Sequence, residues 1–260
     1  MQIVFIGGDA RMRVAAELLA KEGHEVRVCG LSASLPSIDK DAIFPFAQAV
    51  VLPTPAFRDK EWVSGTDIPL SLFLEHKTVP LLGGALPADL LARHPLAYDL
   101  LSDEGLALVG AALTAEGGIA AALSATKRGF YRTKAAVFGY GRIATFLVKA
   151  LSGFGVPVTV YARRHEVRTR LALLGYRAKE WREADFIEED LVFNTVPSAV
   201  FDKTVFAPNA LVVDLGGGLA GYEAHPILSL PALPGKFAPV AAGEAIYEVL
   251  SAFFRKEGLH

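Results

Sequence analysis

Short apolar runs alternate along the first half of the chain with longer amphipathic stretches. The runs fall at residues 3–6, 25–29 (where apolar residues alternate with Glu25 and Arg27), 49–52 and 79–82, and each is followed by glycine or proline. Between the first two runs, residues 11–22 carry apolar side chains at helical spacing. Because strands that alternate with helices form parallel sheets, this pattern indicates a sheet with helices on both faces.

Helices and one further strand are predicted in the rest of the first half. Residues 70–75 have helical composition, and the apolar run at 106–109 predicts a strand. A longer helix is expected to begin at Thr114 and to end near residue 125. Thr114 has a hydroxyl that suits an N-cap, and this start places the Glu116 carboxylate in the first turn, where it complements the helix dipole.

The second half repeats the alternation of strands and helices. Its predicted strands are at residues 135–138, 157–162, 178–181, 191–195 and 211–215. Its predicted helices are at residues 142–153, 166–174 and 241–254. We therefore predict an α/β protein with two doubly wound parallel-sheet domains, the second a Rossmann dinucleotide-binding domain, and a ligand cleft between them.

The chain of 260 residues is long enough for two domains. We expect an N-terminal flavodoxin-like domain for substrate binding and dimerisation, a linker helix, a Rossmann domain, and a C-terminal helix that packs back on the first domain. The expected ranges of these four parts are 1–113, 114–132, 133–238 and 239–260.

The composition argues against several other classes of protein. A net charge of −2 and a pI of about 6.3 give no basic face for nucleic acid. Cys29 is the single cysteine and cannot form an intrachain disulfide, and the first residues lack the basic region of a signal peptide. The apolar stretch 105–125 contains Glu116 and several glycines, which argues against a membrane span. The single cysteine fits a reducing cytoplasm, so we expect a cytoplasmic protein. We expect no metal site, because no histidine has metal-ligand spacing.

The segment from Gly139 to Ala144 carries the most distinctive chemistry. It follows a predicted buried strand and begins a predicted helix, as a dinucleotide-binding loop does. Gly139 permits a tight turn, Gly141 lets the backbone approach a pyrophosphate, and Ala144 keeps the helix close to the sheet. The N–H groups near Arg142 and Ile143 would face the phosphate. A tight turn that binds nothing is the alternative interpretation.

The strand after this loop predicts the type of dinucleotide. It ends at Ala162 and is followed by Arg163 and Arg164. An NAD site has Asp or Glu at this position, whereas guanidinium groups suit the 2′-phosphate of NADP. We therefore predict NADP(H) as the cofactor. An exposed arginine pair without a ligand is the alternative.

Two later strand ends are further candidates for the cofactor site. The turn after the fourth strand of the second domain is expected beside the nicotinamide ribose, and the next strand ends before three glycines that would let the backbone pass close to a ligand. Plain loops are the alternatives. The candidate residues are Asn194, Thr195, Val196, Pro197, Ser198, Asp214 and Leu215.

The first half and the predicted crossover helix contain charged candidates. Asp9 is expected to cap the helix after the Gly7-Gly8 turn, and Arg11, which opposes the helix dipole, is a candidate anion ligand. Glu116 is either a capping carboxylate or a general acid–base group.

Taken in order, these motifs resemble the A subunits of dipicolinate synthases, the enzymes of spore-forming bacteria that make dipicolinic acid. The matching segments cover nearly the whole chain and are residues 6–11, 114–117, 139–142, 162–164, 194–198 and 233–239. The second domain alone is also similar to the cofactor domains of 2-hydroxyacid dehydrogenases and adenosylhomocysteinases. The chain is shorter than the family in the first domain, and residues 216–218 are three glycines where the family reads Ala-Ser-x-Pro-Gly.

The resemblance implies an NADP-dependent oxidation of a cyclic tetrahydro- or dihydrodipicolinate to aromatic dipicolinic acid during sporulation. It also implies a partner, the flavoprotein-like B subunit of dipicolinate synthase, and we expect a homo-oligomer. Glu116 or Ser198 would assist proton removal. The residues expected to bind the small dicarboxylate substrate are Asp9, Arg11, Thr114 and Gly117.

Two other functions stay open on the sequence. A non-catalytic nucleotide-binding regulatory or scaffold subunit would explain why no histidine or lysine stands in an unambiguous catalytic position. An oxidoreductase of the 2-hydroxyacid dehydrogenase type would need an arginine and a Glu–His pair in the second domain, and His225, in a loop beside Pro226, does not supply one.

Overall fold

The computed structural model describes residues 1–126, 129–183, 186–198, 205–219, 222 and 225–258. The chain divides into two units, which we call unit 1 (Met1–Val109 with Ala238–His260) and unit 2 (Gly110–Phe237). Each unit contains a parallel sheet with helices, so the predicted α/β fold with two parallel-sheet domains is confirmed.

The strands and helices follow the alternation of apolar runs. In chain order the strands are β1 (Gln2–Ile6), β2 (Glu25–Cys29), β3 (Ala49–Val51), β4 (Phe57–Arg58), β5 (Trp62–Val63), β6 (Leu81–Gly83), β7 (Ala97–Asp99), β8 (Ala135–Phe138), β9 (Val158–Tyr161), β10 (Arg177–Lys179), β11 (Phe186–Ile187), β12 (Leu191–Asn194), β13 (Val205–Phe206), β14 (Leu211–Asp214) and β15 (Ile227–Ser229). The helices are α1 (Ala10–Lys21), α2 (Ile43–Phe46), α3 (Ser71–Glu75), α4 (Ala88–Arg93), α5 (Glu104–Thr126), α6 (Arg142–Gly153), α7 (His165–Leu173), α8 (Leu233–Phe237) and α9 (Pro239–Lys256). Short 3₁₀ turns cover Lys40–Ala42, Leu100–Ser102 and Trp181–Glu183.

The sheet of unit 1 has the strand order β2-β1-β3-β6-β7, and its paired strands are parallel. Alternate residues of β1 enter two different cores, because the sheet is covered on both faces. Ile3 and Phe5 pack with α1 and α9, whereas Val4 and Ile6 pack with the shorter helices. At Gly243 the helix α9 lies so close to α1 that an added Cβ would meet Val14 Cβ at 2.6 Å.

The larger sheet of unit 2 has the order β10-β9-β8-β12-β14-β15, and its paired strands are parallel. When the six strands of this sheet are numbered in chain order, this is the 3-2-1-4-5-6 order of a Rossmann fold. The strand order reverses at β8, because β9 and β10 lie on one side of it and β12, β14 and β15 lie on the other. Ligands of such sheets bind at the carboxyl ends of the strands beside this reversal, which is where the glycine loop after β8 lies.

The predicted strand at 106–109 is wrong, because these residues lie within α5. The true N-cap is Asp103, whose Oδ1 accepts a hydrogen bond from the N–H of Leu106 at 2.8 Å. Thr114 is therefore not an N-cap; its hydroxyl donates to the carbonyl of Gly110, one turn earlier, at 2.7 Å. Glu116 consequently lies in mid-helix rather than in the first turn. Residues 127–128 of the expected linker and 259–260 of the C-terminal segment lie outside the described ranges.

Helix α5 has the length and apolar composition of a membrane-spanning helix, with a mean hydropathy of 1.7. Half of the apolar stretch is buried inside the protein. Its second part supplies Ala115, Ile119 and Ala122 to the core of unit 2, together with residues of β8, α6 and β12. The apolar character of this part is thus explained by packing within unit 2.

His94 makes the stability of unit 1 dependent on pH. The residue is only 2% exposed, and its Nδ1 has no hydrogen-bond partner among the described residues. Burial lowers the pKa of His94, and the charge of Lys77 adds to the shift. Because the folded-state pKa is depressed, the unfolded state binds more protons as the pH falls below about 6.5, the unfolded value. The free energy of unfolding should therefore be highest above that pH and should fall below it.

Urea unfolding between pH 5 and pH 8 measures this effect. We expect a decline below about pH 6.5 of at most about 1.4 kcal/mol per pH unit. The variant His94→Gln should lose this decline, and His165→Gln, in the exposed first turn of α7, should keep it. A decline that is the same in both variants would contradict the assignment.

Candidate functional site

A corner of the backbone connects β8 to α6 in unit 2. Gly139 directly follows β8 with φ of +92°, a left-handed conformation that favours glycine. Gly141 is the N-cap of α6 and has no side chain to bond the first N–H groups of the helix. Ala144 is fully buried against the sheet. The start of α6 therefore lacks a side-chain cap, as expected where the helix binds an anion.

The two glycines of this corner serve different purposes. A Cβ on Gly139 would lie 2.7 Å from Thr195 Oγ1 and 3.0 Å from Val196 Cγ2, so this position must be glycine for the loops to fit. A Cβ on Gly141 would meet no atom of the described residues within 4 Å, and its φ of −94° is open to any residue. Packing among these residues therefore does not require glycine at position 141, and the space beside it is open to a ligand.

A cavity of about 390 Å³ opens at this corner. It joins the loop after β8 to the turn after β9 and to the turn after β12. Eight residues predicted for the site from sequence line it, and they are Gly139, Gly141, Ala162, Arg163, Arg164, Val196, Pro197 and Ser198. The other lining residues belong to no motif in the sequence and were not predicted; they are Tyr140, Tyr161, Val167 and Trp181.

The arginine pair lies at the end of β9, on the wall of the cavity. The Arg163 guanidinium carbon is 5.6 Å from the ring centroid of Trp181, within cation–π range. Arg164 pairs with Glu166 at 3.4 Å, but both side chains are largely exposed, so the pair is weak. No carboxylate occupies the position at the end of β9 that would accept the ribose hydroxyls of NAD.

Asn194 and Asp214 form a buried network beneath the cavity. The Asn194 side chain donates to Asp214 Oδ1 at 2.8 Å and also bonds both backbone polar groups of Val196. Asp214 accepts backbone N–H bonds from Gly216, Gly217 and Leu219 at 2.9–3.2 Å. These two side chains therefore hold the loops after β12 and β14 in place without lining the cavity.

Replacing Asp214 by asparagine should lower the free energy of unfolding by about 1–2 kcal/mol. Both carboxylate oxygens accept N–H bonds, whereas the amide has a single acceptor oxygen, so at least one N–H group loses its acceptor and the remaining bonds lose their charge assistance. Thermal unfolding measures the change. Asp89→Asn is the control, because Asp89 pairs with Arg93 on the exposed surface of α4. This substitution should change stability by less than about 0.5 kcal/mol. Equal effects of the two substitutions would show that the network is unimportant.

The glycines after β14 are explained by packing against the loop after β12. A Cβ on Gly216 would lie 2.6 Å from the carbonyl oxygen of Val196. A Cβ on Gly218 would meet the same oxygen and the carbonyl of Ser198. Leu215, predicted for the cofactor site, packs instead against Gly118 of α5, where an added Cβ would approach its Cδ1 to 2.9 Å.

Unit 1 places Asp9 and Arg11 at the carboxyl end of β1. Asp9 is the N-cap of α1, as predicted, and accepts the N–H of Arg11. The Arg11 side chain is 12% exposed and binds both Asp9 oxygens through Nε and Nη2, at 2.9–3.1 Å. Its Nη2 also donates to the carbonyl of Thr54 at 2.6 Å. Burial raises the pKa of Asp9, but the bonds and charge of Arg11 outweigh it and leave the pKa below its usual value.

The glycine turn after β1 is covered by the chain itself. The N–H of Gly8 donates to the carbonyl of Ser64 at 3.1 Å. A Cβ on Gly7 would collide with that same carbonyl, and it would lie 2.9 Å from Thr66 Cγ2. The turn at residues 64–66 therefore occupies the space where a second dinucleotide would bind at this loop.

Helix α5 carries the remaining predicted residues, and these belong to unit 2. Gly117 allows α8 to approach, because a Cβ there would lie 3.1 Å from Phe237 Cβ. Glu116 is exposed and adjoins Gly117. Thr114 is half-buried and bonded within its own helix. Among the residues that the structure describes, no group of three or more His, Cys, Asp or Glu side chains is placed to hold a metal ion.

The fold and the glycine corner define a class of protein: the chain has the fold of the Rossmann-type dehydrogenases. A solved structure of L-alanine dehydrogenase matches with a TM-score of 0.61 and 14% identity, covering 100% of this chain and 91% of that one. No known family profile matches the chain.

The particular protein that the chain resembles is the dipicolinate synthase A subunit. The protein from Bacillus subtilis (strain 168) is 26% identical over 297 residues, covering 96% of this chain and 95% of that protein. The solved structure from Bacillus halodurans has 21% identity and a TM-score of 0.81, covering 97% of each chain. The resemblance inferred from the sequence motifs is thus confirmed.

Proposed function

We propose that this chain is an NADP-dependent dehydrogenase subunit that oxidises a cyclic tetrahydro- or dihydrodipicolinate to dipicolinic acid. A flavoprotein-like B subunit is its partner in this proposal. The observation that carries the cofactor assignment is the cavity of unit 2, which brings Gly141 and the Arg163–Arg164 pair together. The resemblance to the dipicolinate synthase A subunit supports the substrate.

The residues at the corner suit a phosphorylated dinucleotide. The uncapped start of α6 would bind the pyrophosphate, and the space beside Gly141 would admit it. Arg163 and Arg164 would bind the 2′-phosphate. Thr195, Val196 and Pro197 would border the nicotinamide ribose. When bound, NADP⁺ supplies the acceptor for a hydride.

Arg11 is proposed to bind one carboxylate of the substrate. Its Nε and Nη2 are committed to Asp9 and to the Thr54 carbonyl, whereas Nη1 has no hydrogen-bond partner in the described part of the chain. Asp9 and Thr54 thus fix the direction of the guanidinium, and Nη1 remains as a donor with two N–H groups. A monodentate contact to a carboxylate oxygen follows from this arrangement.

The chemistry requires a base as well as a hydride acceptor. Each oxidation removes one hydride and one proton from the ring, and formation of the aromatic pyridine favours the final step. Glu116 is the proposed proton acceptor because the resemblance implies it, and its carboxylate is exposed on α5. Ser198, which lines the cavity, is the alternative candidate for assisting proton removal.

A reconstituted assay tests the proposed reaction. The purified chain, the B subunit, NADP⁺ and the cyclic precursor should together develop the ultraviolet absorbance of pyridine dicarboxylate, with one NADPH formed for each hydride removed. Reactions that lack this chain or NADP⁺ should develop no such absorbance. Absence of product with either nicotinamide cofactor, and with or without the partner, would reject the proposal.

A non-catalytic scaffold subunit is the second candidate, because most donors of Arg11 are occupied by the protein itself. Arg11→Ala decides between the two. We expect this substitution to lower kcat/KM by about tenfold, the value of one charge-assisted hydrogen bond of about 1.5 kcal/mol. Arg13→Ala, an exposed neighbour on α1, is the charge-matched control. Full activity of both Arg11→Ala and Glu116→Gln would favour the scaffold.

A further inference from the structure

The aromatic side of the cofactor cavity has no role in the function proposed above. Trp181 follows β10 in a short 3₁₀ turn, is half-buried, and lines the cavity that contains Gly141. Val167, in the helix after the arginine pair, also lines the cavity. An indole ring on a cavity wall suits a heteroaromatic ring, because base–aromatic stacking is tolerant of the base and favourable.

A second observation connects this wall with the arginine that is proposed to bind the 2′-phosphate. The Arg163 guanidinium is held near the Trp181 ring, with 5.6 Å from its carbon to the ring centroid. An aromatic surface and a guanidinium so close together match the two parts of adenosine 2′-phosphate, the base and the phosphate. The nicotinamide half of the dinucleotide carries no 2′-phosphate, and its oxidised ring is a cation that a neighbouring guanidinium repels.

Arg168 fixes the spacing between these two groups. Its Nη1 donates to the carbonyls of Ala162 and Arg163, at 2.9 and 2.6 Å. Its Nη2 pairs with Glu180 at 2.9 Å, and Glu180 immediately precedes Trp181. Both partners of this pair are mostly buried, which favours a lasting contact. One side chain therefore connects the turn after β9 to the turn after β10.

We propose that Trp181 binds the adenine ring of the cofactor and that Arg168 is a positioning residue that holds Trp181 and Arg163 at the spacing of adenosine 2′-phosphate. This inference rests on the proposed function, because it assigns the adenine end of the same cofactor. It assigns a residue that recognises the adenine ring and a second residue that positions it, which the glycine loop and the arginine pair do not provide. It also gives the aromatic lining of the cavity a purpose.

Tryptophan fluorescence tests the assignment without an activity assay. The chain has two tryptophans, and Trp62 lies in unit 1, so Trp62→Phe leaves Trp181 as the single emitter. Adenosine 2′,5′-bisphosphate should quench this emission in proportion to binding measured by calorimetry. Nicotinamide mononucleotide, which lacks the adenine, should leave the emission unchanged.

Two sets of variants complete the test. Trp181→Ala should weaken binding of the bisphosphate by about tenfold, which corresponds to about 1.4 kcal/mol, and Trp181→Phe should stay within about threefold of wild type. Arg168→Gln should weaken binding and reduce the quench, although it is not expected to contact the ligand. Arg182→Ala, exposed beside Trp181, is the matched control for charge and should behave as wild type.

The outcomes separate this inference from the function on which it rests. Binding of the bisphosphate with unchanged Trp181 emission, or full affinity in a folded Trp181→Ala protein, overturns the adenine assignment and leaves the cofactor proposal standing. A wild-type protein that binds neither the bisphosphate nor NADPH overturns both.

Discussion

Replacing Gly141 by alanine is expected to weaken NADPH binding by about 100-fold, or about 2.7 kcal/mol. The free energy of unfolding should fall by at most about 1 kcal/mol, because alanine is a poorer N-cap than glycine. The new Cβ would meet no atom of the described residues within 4 Å and the backbone already has an ordinary conformation, so packing and strain add nothing to this loss. The methyl group would instead occupy the space that the pyrophosphate needs. Calorimetric titration and thermal unfolding of the same preparation measure the two quantities.

Gly139→Ala provides the contrast, because it places the same methyl group two residues earlier. There φ is +92°, and the Cβ would lie 2.7 Å from Thr195 Oγ1. We expect a loss of about 2–4 kcal/mol in the free energy of unfolding from backbone strain and overpacking. A Gly141→Ala protein that binds NADPH normally, or that is destabilised as much as Gly139→Ala, would contradict this division of roles.

Arg163→Asp is expected to reverse the preference between the two nicotinamide cofactors. In the wild-type protein a guanidinium–phosphate contact of about 1.5–3 kcal/mol should make NADPH bind at least tenfold more tightly than NADH. The carboxylate of the variant would repel the 2′-phosphate and accept hydrogen bonds from the ribose hydroxyls of NADH. The affinity ratio should therefore change by about 100-fold in total.

Arg170→Asp is the control for this reversal. Arg170 is exposed in the last turn of α7 and does not line the cavity, but its replacement changes the net charge by the same amount. The control should keep the preference for NADPH. Equal affinity of the wild-type protein for NADPH and NADH, or the same response in both variants, would remove the argument for NADP.

Local signals explain which elements could be predicted from the sequence. Helix α6 begins at Arg142 and ends at Gly153 as predicted, and β8 covers 135–138 as predicted. A buried run followed by Gly139 and Gly141 marks the end of β8 and the start of α6 within a few residues. The run at 106–109 failed because a short apolar segment does not distinguish a strand from a buried helix. The cap at Asp103 would have decided the question.

The candidate site could be predicted where its residues follow strands that are consecutive in the sequence. The glycine corner and the arginine pair follow consecutive strands, so strand order alone brings them to one edge of the sheet. Trp181 lies on the cavity wall because β10, the third strand of the unit, pairs with β9 and because Arg168 binds Glu180. No sequence motif predicts these contacts. The turn at residues 64–66 covers Gly7 and Gly8 through a long-range contact, which local sequence patterns do not indicate.

A crystal structure of the chain grown with NADP⁺ tests the central claim most directly. The account predicts the pyrophosphate against the N–H groups at the start of α6, with the 2′-phosphate within hydrogen-bond distance of Arg163 or Arg164. A dinucleotide bound elsewhere on the protein, or a corner at Gly139–Gly141 that stays empty at saturating NADP⁺, would contradict it.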